Sequence, residues 1–169
     1  KTTNLLYIHR PLSDELKGEM ITLNTDEDRT LFFDFFPLYL GEIDGFNVKF
    51  NMYTVPGQVY YEASRRLILD GADGVVFIAD SKPHRLEENF ESYRLMENNL
   101  RYYGYSVGEY PIVLQYNKRD CSDPLPLGTI EKAFSISHIT VFEGVAIRGE
   151  GVLETIRELS RTIVMRFKM

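Results

Sequence analysis

Short apolar runs alternate with longer helical patterns along most of the chain, and this alternation constrains the fold more than any other feature. The runs "VVFIAD" (75–80) and "PIVLQYN" (111–117) are almost continuously apolar, as strands buried on both faces of a parallel sheet are. Between them, residues 84–105 carry apolar side chains at helical spacing. The alternation predicts an α/β fold, with a mostly parallel central sheet and helices on both faces.

The flanking segments complete the predicted order of elements. Residues 1–10 are expected to be helical, and the polar residues 11–30 to form a loop. After the two parallel strands we expect a short helix near 126–134, a third strand at 138–144 and a last helix from about residue 151.

Two more strands are predicted before residue 55, joined by a hairpin turn. The first, "LFFDFFPLYL" (31–40), is apolar on both faces, and the second, "GFNVKFNMYT" (45–54), alternates. A strand that is apolar on both faces is an aggregation liability unless it is covered, so we expect a cover for the first strand. The cover is either a helix or loop of this chain, or a partner protein that contacts Phe32 and Phe36.

Composition limits the classes of function. A length of 169 residues predicts one domain, 1–169, and the net charge of −6 gives no electrostatic reason to bind nucleic acid. The single Cys121 excludes an internal disulfide and fits the reducing cytoplasm. The longest uninterrupted apolar run, Val75–Ala79, is too short for stable insertion into a membrane.

The tetrapeptide "NKRD" (117–120) directly follows a predicted strand of the parallel sheet. Ligands of such sheets bind at the carboxyl ends of the strands. The Asp120 carboxylate can accept two hydrogen bonds from N1–H and the 2-amino group of guanine, an edge that adenine lacks. The Lys118 stem can lie over the base, and Asn117 can tie neighbouring loops together. Taken alone, the same four residues are more typical of a solvated polar turn, and their position at the end of a parallel strand favours the guanine site.

Two weaker motifs point to phosphate and magnesium. "KTT" (1–3) is the end of a phosphate-binding P-loop pattern, in which a lysine and then a hydroxyl residue open a helix. Arg29 and Thr30 end an acidic loop. A threonine hydroxyl can complete a magnesium octahedron, and an arginine can neutralise charge on a transferred phosphoryl group. Taken alone, "KTT" at the start of the sequence is best explained as coincidence, and Arg29 with Thr30 is a weak motif that an exposed loop end would also explain.

Two strand tips complete the set. In "YTVPGQ" (53–58), Gly57 can offer its backbone N–H to an anion, and Gln58 can hold an attacking water. A plain hairpin turn would also explain the sequence of residues 53–58. In "EGVA" (143–146), the small residue at the tip lets a backbone N–H meet guanine O6.

In order and spacing, these motifs resemble the nucleotide-binding elements of Ras-like small GTPases. The strings "KTTN", "KGEM", "DRTLFFDF", "YTVPGQ", "SRRLIL" and "NKRD" are closer still to the bacterial MglA family of gliding-motility and cell-polarity GTPases, over essentially the whole chain. The resemblance implies a Ras-like P-loop GTPase fold and a switch that binds GTP and Mg²⁺ and hydrolyses GTP slowly to GDP and phosphate. A Ras-like fold would also place the strand at 31–40 at the edge of the sheet, where partners bind.

The resemblance also implies roles for individual residues. Gln58 would position the hydrolytic water, and Arg29 would act as an arginine finger supplied in cis. Thr2 and Thr30 would be magnesium ligands. The remaining nucleotide contacts would come from Lys1, Thr2, Thr3 and Gly57 at the phosphates and from Asn117, Lys118, Asp120, Val145 and Ala146 at the base.

Partners and location follow from the same resemblance. An MglB-like protein with a roadblock domain would stimulate hydrolysis, and polarity or motility effectors would bind the active form. We expect a cytoplasmic protein that is recruited to the cell poles.

Two departures from the Ras pattern bear on the site. Thr54 stands where most Ras-like proteins carry the aspartate that holds magnesium through a water, so Mg²⁺ should depend more on Thr2, Thr30 and the phosphates. The sequence also begins at the lysine of the P-loop, so we expect this chain to lack the first strand and the glycines of the phosphate cradle. This favours a fragment, or a sheet whose gap a partner covers.

Two other functions fit parts of the pattern. A nucleotide-poor pseudo-GTPase, or a fragment acting as a protein-interaction module, would explain the incomplete P-loop. A phospho-receiver domain shares the α/β alternation but requires clustered acids at the strand tips, where Asp80 stands alone.

Overall fold

The computed structural model describes residues 1–11, 16–23, 33–43, 46–55, 62–137 and 139–167. They fall into two compact units, Lys1–Ile68 and Leu69–Met169. That the whole chain acts as one domain stays a prediction.

The first unit contains an antiparallel sheet. Its elements are α1 (Thr2–His9), β1 (Ile21–Leu23), β2 (Phe33–Ile43), β3 (Phe46–Tyr53) and most of α2 (Glu62–Leu69). The strand order is β1-β2-β3. β2 and β3 pair from Phe35 opposite Tyr53 to Ile43 opposite Phe46, which confirms the predicted hairpin pairing.

Strand β2 lies in the middle of this sheet, so its predicted place at the edge is wrong. β1 pairs with one side of β2 and β3 with the other. Lys17 adds an isolated bridge to Leu38 on the β1 side. The prediction failed because residues 11–30 were expected to form a loop, whereas they contain β1. Three residues are too few to show the alternation that identifies a strand.

The two faces of β2 differ in burial. Asp34, Phe36 and Leu38 are buried, whereas Tyr39 on the opposite face is exposed. α1 contacts β2, and the ring of His9 meets Phe36 edge to face at 5.0 Å between centroids. Phe36 is 0% exposed and belongs to the core, so the predicted partner contact at this residue is wrong. Phe32 lies outside the described residues.

Phe36→Ala is expected to lower the free energy of unfolding by about 3–5 kcal/mol, because it removes a fully buried aromatic ring. Urea unfolding of the two proteins measures the difference. Tyr39→Ala on the same strand is the matched control, since Tyr39 is 40% exposed and should cost much less. Unchanged stability together with weaker binding of a partner would restore the interface interpretation.

The second unit contains a parallel sheet. Its strands are β4 (Val75–Asp80), β5 (Ile112–Asn117) and β6 (Thr140–Gly144), in the order β4-β5-β6. Its helices are a short 3₁₀ turn (Pro83–Arg85), α3 (Leu86–Tyr102), α4 (Thr129–Ala133) and α5 (Val152–Phe167). The three predicted strands and their parallel pairing are confirmed.

Helices cover both faces of the parallel sheet. Leu114 and Tyr116 belong to the hydrophobic cluster that includes Tyr93 and Leu100 of α3. Gln115 points to the opposite face, where its Nε2 donates to Thr155 Oγ1 of α5 at 2.9 Å. Burial on both faces explains why the β5 sequence is almost continuously apolar.

The strand ends are level, and this positions the polar residues that follow them. Asp80, Asn117 and Gly144 lie side by side as the last residues of β4, β5 and β6. No helix within the described ranges combines the length and apolar character that a membrane crossing requires.

Candidate functional site

Arg29, Thr30, Gly57 and Gln58 lie outside the described residues, so their predicted roles stay predictions. The other predicted site residues form one group in each unit, with Lys1, Thr2 and Thr3 in the first. The second holds the strand-end residues Asn117, Lys118, Asp120, Val145 and Ala146.

In the first unit, Lys1 caps the start of α1, and Thr2 and Thr3 form its first turn. All three residues are exposed. Burial of the ammonium among neighbouring atoms and, second, the charge of Arg65 lower the pKa of Lys1 to about 8, although the residue retains accessible surface. The free N–H groups of a helix start favour an anion, and a nearby anion would favour the charged lysine.

Thr2 and Thr54 share one carboxylate. Thr2 Oγ1 donates to Asp34 Oδ2 at 2.7 Å, and Thr54 Oγ1 donates to the same oxygen at 3.0 Å. Backbone bonds hold the pair in register: Asp34 N–H donates to Thr54 Oγ1 and Thr54 N–H to the Asp34 carbonyl, each at 2.8 Å. Asp34 therefore brings a negative charge beside the threonine that replaces the usual aspartate.

Asp34 is a functional candidate that sequence reasoning missed. In the sequence, Asp34 is merely a polar interruption of the apolar strand "LFFDFFPLYL" (31–40). The available signal was its position, because Asp34 shares the buried face of β2 with Phe36 and Leu38. A buried carboxylate is costly unless other groups bond to it, so a charged residue in that register predicts partners nearby.

The oxygen atoms of this group suit a hard cation. Magnesium prefers oxygen ligands, and the two hydroxyls and one carboxylate supply them. Within the described ranges, no three His, Cys, Asp or Glu side chains gather as a metal-binding cluster. The oxygens of Thr2, Thr54 and Asp34 fit a magnesium site whose coordination would be completed by oxygens of a bound ligand.

In the second unit, Asn117 joins the ends of β4, β5 and β6. Its Oδ1 accepts from the backbone N–H of Ala146 at 3.1 Å, and its carbonyl accepts from the Ser81 N–H at 2.9 Å. Asn117 is buried at 8% exposure. The Asn117 side chain thus joins its own loop to the turn after β6, as predicted.

Lys118 adopts a left-handed backbone conformation, with φ at 65°, which is uncommon for a residue with a side chain. Its Nζ donates to Asp80 Oδ2 at 2.6 Å. Burial raises the pKa of Asp80, but the hydrogen bonds from Lys118 and then from the Lys82 backbone outweigh it and leave the pKa lowered. Asp80 therefore carries its charge at neutral pH.

Asp120 remains accessible at the end of the motif. The Arg148 guanidinium approaches its carboxylate at 3.9 Å, and Arg148 also bonds to Glu150 at 2.7 Å. Such exposed ion pairs are weak, so they leave Asp120 able to accept bonds from a ligand.

Val145 and Ala146 are buried at 3% and 4% exposure in the turn after β6. The Val145 N–H donates to the Glu150 carbonyl at 3.0 Å, which closes the turn. Gly151 completes it with φ at +71°, and a Cβ there would come within 1.8 Å of the Glu143 carbonyl oxygen. The Ala146 N–H already has an acceptor in Asn117, so guanine O6 would share it.

Known proteins identify the family. No protein-family model matches the chain. The chain is 48% identical over 168 residues to the mutual gliding-motility protein MglA of Myxococcus xanthus (strain DK1622), covering 99% of this chain and 86% of that protein. That likeness confirms the Ras-like fold, with which the parallel sheet and helices of the second unit agree. The chain belongs to the MglA family of small Ras-like GTPases.

Proposed function

We propose that this chain is a molecular switch that binds GTP with Mg²⁺ and hydrolyses GTP to GDP and phosphate. One observation carries the proposal: the Asn117–Ala146 hydrogen bond joins the "NKRD" segment to the turn after β6. The two segments that would read guanine are thus adjacent, although they are far apart in the sequence.

At the base, Asp120 would distinguish guanine from adenine. Its two oxygens would accept bonds from N1–H and the 2-amino group, which are charge-assisted and therefore strong. The Lys118 stem would lie against the flat face of the base. Asn117 would hold the surrounding loops, with Val145 and Ala146 closing over the ring.

At the phosphates, Lys1, Thr2 and Thr3 would act from the start of α1. Lys1 would contact the β- and γ-phosphates and Thr3 would support the α-phosphate. Thr2 and Thr30 would coordinate Mg²⁺, which neutralises charge on the β- and γ-phosphate oxygens.

Asp34 would orient the magnesium-binding hydroxyl. A hydroxyl that donates its proton to a carboxylate keeps its lone pairs free for a cation, and such partners of metal ligands raise affinity. Thr2 already donates to Asp34. Asp34 would therefore supply, from β2, the charge that Thr54 lacks.

For hydrolysis, Gln58 would hold the attacking water, and Gly57 would sense the γ-phosphate through its backbone N–H. Arg29 would stabilise the charge that develops on the transferred phosphoryl group. The resemblance to MglA proteins supports these roles.

The biological role would be the regulation of gliding motility and cell polarity. The relative from Myxococcus xanthus is named for gliding motility, and this supports the assignment. An MglB-like roadblock-domain protein would activate hydrolysis, and polarity or motility effectors would bind the GTP form. We propose a cytoplasmic protein recruited to cell poles, with neither a nucleic-acid partner nor stable membrane insertion.

Calorimetric titration of the full-length protein with GDP and ATP tests the proposal. We expect GDP to bind and ATP to give no binding heat, because adenine offers no donor pair to Asp120. Chelation of Mg²⁺ is the control and should weaken GTP binding. Failure of both nucleotides to bind would favour the alternative of an interaction module without nucleotide.

A further inference from the structure

The ion pair between Asp80 and Lys118 links the end of β4 to the "NKRD" segment. Lys118 Nζ lies 2.6 Å from Asp80 Oδ2. Asp80 pairs in register with Asn117, so Lys118 is the first residue beyond the paired strands. The contact crosses from one strand end to the next at the proposed base site.

Asp80 is itself firmly held. Its backbone N–H donates to Asn89 Oδ1 at 3.1 Å, and its carbonyl accepts from Asn89 Nδ2 at 2.9 Å. Asn89 is buried in α3 at 8% exposure. Asp80 Oδ1 accepts from the Lys82 N–H at 3.1 Å, which leaves Oδ2 for Lys118. These hydrogen bonds therefore hold the Asp80 carboxylate in one position at the end of β4.

Lys118 has a fixed backbone but a long, flexible side chain. The Cys121 N–H donates to the Lys118 carbonyl at 3.1 Å, and the Arg119 N–H donates to the Gly144 carbonyl at 3.2 Å. With the backbone fixed at one end and the ammonium at the other, the methylene stem between them is confined. Its side chain is 52% exposed, so the stem is open to a ligand.

We infer that Asp80 is a positioning residue for the guanine base: it holds the Lys118 ammonium so that the stem is in place before the base arrives. This rests on the proposed function of the same site. An ion pair with so exposed a lysine contributes little to folding. The ion pair instead strengthens base binding, because it orders the lysine side chain beforehand and so avoids the entropy cost of ordering that side chain when the base binds.

A double-mutant cycle separates positioning from a merely structural role. Asp80→Asn keeps the shape of the side chain and removes its charge, and Lys118→Met keeps the stem and removes the ammonium. If Asp80 acts only through Lys118, its replacement should have no further effect once the ammonium is gone. A structural role would weaken binding in either background.

The experiment measures GDP dissociation constants for the full-length protein, both single variants and the double variant. We expect each single variant to bind about 2- to 12-fold more weakly, the range for ordering one flexible side chain. The double variant should equal Lys118→Met, Asp80→Glu should recover part of the loss, and thermal midpoints should stay unchanged.

Four outcomes would overturn the inference. Unchanged GDP affinity in Asp80→Asn would show that the ion pair positions nothing. Losses that multiply in the double variant, or that follow a fall in the thermal midpoint, would assign Asp80 to folding. Absence of GDP binding by the unaltered protein would refute the proposed function, and the inference with it, whereas the other three outcomes leave that function intact.

Discussion

Asp120→Asn should weaken GDP binding at least about 100-fold, because an amide would point a donor at a guanine edge that itself offers only donors. Xanthine carries an oxygen in place of the 2-amino group, so the new amide can donate to it. The preference of the protein should therefore move from GDP to xanthosine diphosphate. Folding should be unaffected, since within the described residues the Asp120 carboxylate makes only a 3.9 Å contact with the exposed Arg148.

Competition between the two nucleotides for a fluorescent analogue would measure this change. Asp123→Asn is the matched control, because Asp123 is an exposed acid three residues further along the same loop. It should leave both affinities unchanged. Equal losses for GDP and xanthosine diphosphate in Asp120→Asn would contradict a direct contact with the base.

Gln58→Ala should leave GTP affinity intact and reduce partner-stimulated hydrolysis by about 10²–10³-fold, the usual loss when one group that acts on the transition state is removed. The glutamine would hold a water rather than the nucleotide, so binding should not depend on it. Single-turnover release of phosphate, with and without an activating roadblock-domain protein, measures the effect.

Arg29→Ala provides a comparison within the same machinery. It should also slow hydrolysis without loss of GTP binding, because the arginine would act on charge that develops only during the reaction. Normal partner-stimulated hydrolysis by Gln58→Ala would show that the glutamine does not position the attacking water.

The second unit could be predicted from the sequence because each strand and helix carries its own signal. β4 and β5 are short and apolar throughout, and α3 has a helical period. Parallel pairing then follows from the helices that connect the strands. The β1 strand could not be predicted in this way, since its three residues are recognised only by their pairing with β2.

The parts of the site that were missed depend on contacts between distant residues. Asp34 is a candidate site residue because its carboxylate accepts hydrogen bonds from Thr2 and Thr54, which are 32 and 20 positions away. In the sequence, Asp80 is an isolated acid at a strand end, yet in the structure its carboxylate accepts a hydrogen bond from Lys118, 38 positions away. Local patterns report burial and period, but they do not report which polar side chains meet.

The hydrogen bond from the Ala146 N–H to Asn117 Oδ1 spans 29 residues. The base-reading half of the site therefore cannot be complete until both residues have been synthesised. During synthesis, β5 leaves the ribosome well before β6 and α5 do. The "NKRD" segment then exists without the turn that completes it. We therefore expect the base-reading part of the proposed site to form only after the turn that follows β6 has been synthesised and has docked.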